Sequence, residues 1–384
     1  MILDEEHRSF KEKVGRFADE VVAPRAGELD RECEFPWDLV KRMAELDLLA
    51  IFLPKRYGGA GLDTLSYAIA VEEIGRVCGS TGIFLAAHSS LGIYPIYIAG
   101  NEMQKDKWVV PLARGEKIGS FGLTEPRAGS DASATQTTAK LAGDEYIING
   151  TKCFITSGEI ADIIVFTATK DPSLGYSGIS AFVVEKGTPG FSAGKEEDKL
   201  GLRGSVTSEL IFEECAIPKE NLLGKESDGF TIFMETLDSG RISIGALALG
   251  IAQGALDASI KFVKSVTKAG KPLYKRQSIQ SMIADMATEI EAARLLVYQA
   301  AMLKDAGKTF TKEAAMAKYY ASSIGMKVTN TAIEIHGILG LSKEYPVERF
   351  MRDEKLMEIG EGTSEIQKIV IARKILGKWT RLNA

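Results

Sequence analysis

Two stretches of this 384-residue chain combine residue types that can do chemistry. Ile359-Gly360-Glu361-Gly362-Thr363-Ser364-Glu365-Ile366-Gln367 places one carboxylate between two glycines. Glycine lets a backbone approach a ligand closely, and Thr363 or Ser364 can cap a helix start. Read by itself, Glu361 is either a carboxylate held against a ligand or a solvated acid in a helix-start turn. Phe121-Gly122-Leu123-Thr124-Glu125-Pro126-Arg127-Ala128-Gly129-Ser130-Asp131-Ala132 reads as a strand entering a turn of small residues and hydroxyls. The amides of such a turn can cradle a polar ring edge or a phosphate. A loop merely made tight by Gly and Pro fits the same residues equally well.

Other chemistries find little support. His7, His88 and His336 are not spaced as metal ligands, and Cys33, Cys78, Cys153 and Cys215 form no CxxC pair. No metal site is expected, and free thiols in a reducing compartment are. No GxGxxG follows a strand, no GxxxxGK[ST] occurs, and GxSxG is absent, which leaves a nicotinamide fold, a P-loop and a hydrolase elbow unsupported. The net charge of −5, from 47 basic and 52 acidic residues, gives no global positive field for nucleic acid or anionic membrane. Met-Ile-Leu-Asp-Glu-Glu-His shows neither a signal nor a transit pattern, so a cytoplasmic enzyme is expected. Val77 to Asn101 carries no charge over 25 positions, but its glycines, serines and Pro95 suit a buried core helix better than a membrane span. Polar spots on such a helix often line a pocket.

Three blocks must position these motifs. Residues 1–116 read as a helical domain, with Leu39, Met43, Leu46, Leu48 and Leu49 at helix-face spacing. Residues 117–228 carry short β-rich runs, among them Tyr146–Ile148, Cys153–Thr156, Ile163–Phe166, Ala181–Val184 and Leu210–Phe212. Asn149-Gly150 between the first two predicts a type I′ hairpin turn, and Gly187-Thr188-Pro189-Gly190 another break. The block is expected to be a small antiparallel, barrel-like sheet. Residues 229–384 return to helix. Ile279, Met282, Met286, Ile290, Ala293, Val297 and Ala300 form the stripe of a long bundle helix, another runs from about Lys312 to Ile335, and a last one follows Gly362. The fold class is α+β, ending in a four-helix bundle.

In order and spacing, six segments resemble the acyl-CoA dehydrogenase family nearly end to end: PKRYGGAGLD (Pro54–Asp63), FGLTEPRAGSDA (Phe121–Ala132), FITSG (Phe154–Gly158), LDSGRISIGALALGIAQGALD (Leu237–Asp257), EYPVERFMRD (Glu344–Asp353) and IGEGTSEIQ (Ile359–Gln367). The likeness is to the short-chain, butyryl-CoA type. It implies FAD between the sheet and the C-terminal bundle, a homotetramer, an acyl-CoA substrate, and an electron-transfer flavoprotein as acceptor. It also implies α,β-desaturation, with a glutamate taking the α-proton and the β-hydrogen leaving as hydride to flavin N5. Glu361 is then the base, because the position some relatives use instead is Gly240. The resemblance assigns Phe121, Leu123, Thr124, Ser130, Phe154, Thr156, Gln277, Gly337, Thr363 and Glu365 to the flavin. It assigns Ser130, Asp238, Arg241, Gly362 and Arg373 to the acyl-CoA.

The match fails at the FAD adenosine side. The family's RxxFGKP reads Val266-Thr267-Lys268-Ala269-Gly270-Lys271-Pro272, without the arginine and the phenylalanine. Its QxxGG reads Glu334-Ile335-His336-Gly337-Ile338. Lys268, Lys271 or Arg276 is expected to compensate; a partner subunit with little redox turnover of its own is the alternative. Gly360 stands where many relatives carry a tyrosine beside the base, which implies room for a short, branched or alicyclic acyl group.

Overall fold

The computed structural model describes residues 3–377. Eight helices form the first layer: α1 (Glu5–Phe17), α2 (Ala23–Glu32), α3 (Trp37–Glu45), α4 (Thr64–Val77), α5 (Gly79–Ala87), α6 (Tyr94–Ala99), α7 (Glu102–Gln104) and α8 (Val110–Ala113). Their starts are set locally: Asp4 accepts the His7 amide and Asp63 the Ser66 amide, each satisfying a donor the helix cannot. The charge-free segment becomes α5, a π-helical turn over His88–Ile93, and α6, and 79–94 are buried throughout.

The middle block is a sheet of β1 (Gly119–Gly122), β2 (Thr138–Ala142), β3 (Glu145–Thr156), β4 (Ile163–Thr169), β5 (Ile179–Glu185), β6 (Phe191–Glu196), β7 (Thr207–Pro218) and β8 (Leu222–Leu223). The strand order is β6-β7-β3-β2-β4-β5-β8, with β1 beside β4. The sheet is barrel-like but not closed, and β4 is parallel to β1 and β2 while the other pairings are antiparallel. The expected hairpin at Asn149-Gly150 does not form. β3 runs straight through both residues, and the turn falls one strand earlier, where β2 meets β3 at Gly143. Gly150, at φ +149° and pressed against Thr137, marks a bulge opposite β7, and the Asn149 side chain reaches Glu214. The pair of residues supplies irregularity without chain reversal because β7 holds both flanks in register.

The last layer is built on α9 (Gly229–Ser265), followed by a small hairpin of β9 (Thr267–Lys268) and β10 (Lys271–Pro272). Then come α10 (Gln277–Asp305), α11 (Thr311–His336), α12 (Val347–Glu354) and α13 (Ser364–Leu376). α9 is the common wall, packing on α4 and α5 of the first layer and on α10, α11 and α12 of the last. Gly250 and Gly254 face the carbonyls of Glu72 and Arg76, where any side chain would overlap backbone, so α4 and α9 lie in direct contact. The α9 and α5–α6 segments are apolar and long enough to cross a membrane, but both are mostly buried within the fold.

A buried ion cluster ties the first and last layers together. Glu72, 1% exposed, accepts from Lys11 (3.1 Å), Arg294 (3.0 Å) and Tyr298 (2.6 Å). These partners hold its carboxyl below the ordinary range against the opposing effect of burial. Glu72→Ala is expected to lower stability by about 3–5 kcal/mol, because it removes the buried carboxylate shared by Lys11, Arg294 and Tyr298 and leaves Arg294 only the half-exposed Glu291 and Gln253. Thermal and urea unfolding of the variant against wild type measure this; an unchanged midpoint would contradict it.

Candidate active site

Glu361 sits in the turn between α12 and α13, and its position is set by three local devices. The turn takes left-handed backbone at two successive residues, Glu361 (φ +52°) and Gly362 (φ +94°). For a glutamate this conformation costs on the order of 1 kcal/mol and persists only where surroundings enforce it. Two neighbours do so. Lys318 of α11 donates to the Gly362 carbonyl at 2.7 Å, and the Gln367 amide of α13 donates to the same oxygen at 2.9 Å and to the Glu361 carbonyl at 3.3 Å. Thr363 caps α13 by accepting the Ile366 amide.

The third device is Gly240 on α9. A Cβ there would overlap Glu361 Oε2, so the carboxylate occupies space that only glycine leaves free. Oε2 is sealed from solvent and has no hydrogen-bond partner among the described residues. Burial pushes the Glu361 carboxyl up to about 7, with Lys318 and Arg241 pulling it back less strongly. A carboxyl near 7 in an apolar setting is what a general base for a weak carbon acid needs. Burial in turn lowers Lys318 to about 8, with Glu361 opposing. Arg241 pairs with Asp238, which also accepts the Thr311 hydroxyl at 2.6 Å.

The second motif forms an edge of the sheet. Phe121 stacks on Phe233 of α9 at 4.1 Å, Leu123 and Thr124 follow, and the Thr124 carbonyl accepts the Cys153 amide at 2.9 Å. Phe154, next along β3, stands at a bulge with φ +56° and is 66% exposed. Neither the Thr124 nor the Thr156 hydroxyl has a side-chain hydrogen bond among the described residues. An exposed aromatic flanked by uncommitted hydroxyls suits a planar polar ring system, so these residues fit a flavin.

Beneath this edge lies a pair that sequence reasoning missed. Lys152, wholly buried, donates to Glu125 at 2.6 Å, to Thr167 at 3.1 Å and to the Leu123 carbonyl at 3.2 Å. Glu125 also accepts the amides of Gln136 (2.6 Å) and Thr137 (3.1 Å). Burial draws Lys152 down to about 8, and Glu125 opposes that shift. The pair therefore clamps the Leu123–Thr124 loop from below. Lys318 was missed in the same way. Its signal was one lysine among Ala314, Ala315, Ala317 and Ala321 on a helix face otherwise made of small residues.

The remaining expected residues scatter. Ser130 is exposed in its loop, Glu365 is exposed in the first turn of α13, and Arg373 is exposed in its last turn. Gln277 begins α10, and Gly337 (φ +61°) ends α11. Gly337 lies 19 residues past Lys318, roughly 28 Å along that helix at 1.5 Å per residue. One chain does not gather Gln277 and Gly337 with Glu361. Arg276 is turned back onto its own hairpin, donating to the Lys268 carbonyl at 2.9 Å.

Comparison with known proteins matches three family models in succession: the acyl-CoA dehydrogenase N-terminal domain over residues 4–116, the middle domain over 120–215 and the C-terminal domain over 227–376. The chain belongs to the acyl-CoA dehydrogenase family. It is 52% identical to a short-chain-specific acyl-CoA dehydrogenase of Clostridium acetobutylicum over 97% of this chain and 98% of that one. Its structure superposes on butyryl-CoA dehydrogenase of Megasphaera elsdenii with TM-score 0.96 at 45% identity, covering 98% and 100% of the two chains. A chain solved in work on the electron-transferring flavoprotein of Acidaminococcus fermentans gives TM-score 0.97 at 51% identity, covering 98% of this chain and 100% of that one. This protein is thus a flavoprotein oxidoreductase of the short-chain, butyryl-CoA type, with FAD as its cofactor.

Two outcomes follow from the site geometry. Gly240→Ala should fold and load FAD, since the nearest atoms its Cβ would meet belong to side chains, the Glu361 carboxylate and the end of Leu91, yet lower kcat about 10²-fold by displacing the carboxylate. Retention of more than half the activity would show that the Glu361 position is not critical. Lys152→Met should leave Glu125 with its two backbone amides but no counter-charge beneath the loop, loosen FAD binding at least tenfold and lower Tm. FAD titration of the apoprotein and a melting curve read both effects.

Proposed function

We propose that this enzyme desaturates short acyl-CoA thioesters between Cα and Cβ, with Glu361 as the base that takes the α-proton. The observation that carries this reading is the sealed, unpartnered Glu361 Oε2, raised to about 7 and facing α9 where Gly240 leaves room. The Glu361 backbone N–H is engaged by no carbonyl among the described residues, so it is free to meet a thioester oxygen as enolate character develops. Bound FAD supplies the two-electron acceptor. Phe121, Leu123, Thr124, Phe154 and Thr156 hold its ring edge, and Lys318 and Gln367 keep the base turn in place. Gly362, Asp238, Arg241, Ser130 and Arg373 are assigned to the CoA thioester.

Gly360 extends the proposal to branched or ring acyl groups. A Cβ there would make ordinary contact with Leu356 at 3.4–3.5 Å, so a larger residue could start from this position without overlap, and glycine leaves that volume unfilled by its own side chain. An electron-transfer flavoprotein takes the electrons, supported by the likeness to the Acidaminococcus chain. A homotetramer would bring Gln277 and Gly337 to the flavin of a neighbouring copy, which accounts for their distance from Glu361, while Thr363 and Glu365 follow the base in its own turn and are assigned to the flavin from there. Arg276 of the same region then supplies the cation that Val266 cannot. Free Cys33, Cys78, Cys153 and Cys215 suit a reducing cytoplasm.

Glu361→Gln tests the base. The amide is nearly isosteric, so the variant should fold, keep its flavin and bind acyl-CoA. It should lose desaturation by at least ~10²–10⁴-fold. More than a tenth of wild-type activity would exclude Glu361 as the base. In wild type, kcat/KM for butyryl-CoA should rise with pH through about 7, because only the ionised carboxylate accepts a proton. A profile flat from pH 6 to 8 would contradict this.

A further inference from the structure

Three buried hydroxyls that the proposed chemistry does not use lie beside the base. Tyr67 on α4, 1% exposed, donates its phenol to the Ala86 carbonyl at 2.8 Å. Ser90 donates to the same carbonyl at 2.8 Å, and its oxygen lies 3.3 Å from that of Ser243, which is bonded to the Gly240 carbonyl at 2.9 Å. Leu91, adjacent to Ser90, approaches the Cβ position of Gly240 to 3.3 Å, and that same position abuts Glu361 Oε2. Gly240 and Leu91 therefore stand between the base carboxylate and the hydroxyls of Ser243, Ser90 and Tyr67. Burial, and then the Glu361 charge, raise the Tyr67 phenol, in keeping with one shared low-dielectric space.

Behind these hydroxyls the fold is full. Phe52 packs edge-to-face on Tyr67 at 5.3 Å, and Leu247 fills the niches at Gly75 and Gly82, where an added Cβ would come within 2.8 and 2.6 Å of it. A longer alkyl chain must displace the Tyr67 ring against Phe52, an overpacking that a close-packed interior resists.

We propose that the Tyr67 ring, backed by Ser90 and Ser243, closes the acyl pocket and sets its chain-length limit, rejecting acyl groups much beyond about four carbons. This rests on the reading of Glu361 as base for a short acyl-CoA. The test compares kcat/KM for butyryl-, hexanoyl- and octanoyl-CoA in wild type, Tyr67→Ala, Tyr67→Leu and Tyr67→Phe, with flavin content and Tm as folding controls. Tyr67→Ala should raise the octanoyl-to-butyryl ratio at least tenfold. Tyr67→Leu, the milder change should the alanine variant fail to fold, should raise the hexanoyl-to-butyryl ratio at least threefold. Tyr67→Phe keeps the ring and should leave both ratios within about threefold of wild type. Unchanged ratios in the folded Ala or Leu variants overturn the proposal, and so does a shift in Tyr67→Phe as large as in Tyr67→Ala. If wild type does not oxidise butyryl-CoA, the short-acyl reading fails by itself. The floor is then judged by the same ratios taken from acyl-CoA dissociation constants, read from perturbation of the bound flavin spectrum.

Discussion

The rest of the site depends on keeping the Glu361 carboxylate oxygen Oε2 buried without a partner among the described residues. A lone buried carboxyl is costly to ionise, and proteins usually pair it, hydrate it or leave it neutral. Here Oε2 of Glu361 is sealed from solvent with no hydrogen bond among the described residues, and only the modest fields of Lys318 and Arg241 hold its proton affinity near neutrality. Everything close to it serves that compromise. Gly240 clears the space, the left-handed turn aims the side chain, and Lys318 spends its hydrogen bond on the Gly362 backbone instead of on the carboxylate. A direct ion pair would hold the carboxyl well below the ordinary range and leave a feeble base.

A similar division of labour appears on the sheet side. Lys152 and Glu125 form a true buried pair, satisfied by two backbone amides, a hydroxyl and a carbonyl. Such a pair adds little net stability over an apolar substitute, but it fixes one loop geometry. Two lysines buried in one protein thus do opposite things. One neutralises an acid to make a rigid base for a loop, and the other withholds full neutralisation so that an acid stays reactive.

The sequence made some of this readable and hid the rest for identifiable reasons. The stripe from Ile279 to Ala300 predicts a helix that is present as α10, because burial of one face imposes the period. The two motif loops were visible because glycine, proline and hydroxyl residues cluster where backbone must bend. Asn149-Gly150 misled because turn propensity is local, whereas β3 is held on one flank by β2 and on the other by β7. Lys152 and Lys318 stayed hidden because a lysine is read as solvated unless its partner, here 27 residues away in Glu125 and 44 away in Gly362, is already known to be near. The value of Gly240 was missed as well. As a residue it only seemed unable to act, yet what it omits makes the site.

The bare contact between α4 and α9 has a consequence for how the molecule comes into being. Gly250 and Gly254 dock onto α4 from more than 170 residues downstream, so the first helices leave the ribosome with their partner surface still unmade. Until α9 is synthesised, the α4–α5 layer shows a largely apolar face, and closing it needs a long-range search that is slow compared with forming the helices themselves. The proposed acyl floor is completed only then, and Glu361, the proposed base, arrives later still, with the last helices. Nascent chains stalled before α9 should be the state most dependent on chaperones, whereas those released past it have the α4–α9 contact closed and lack only the later segments that carry Lys318 and Glu361.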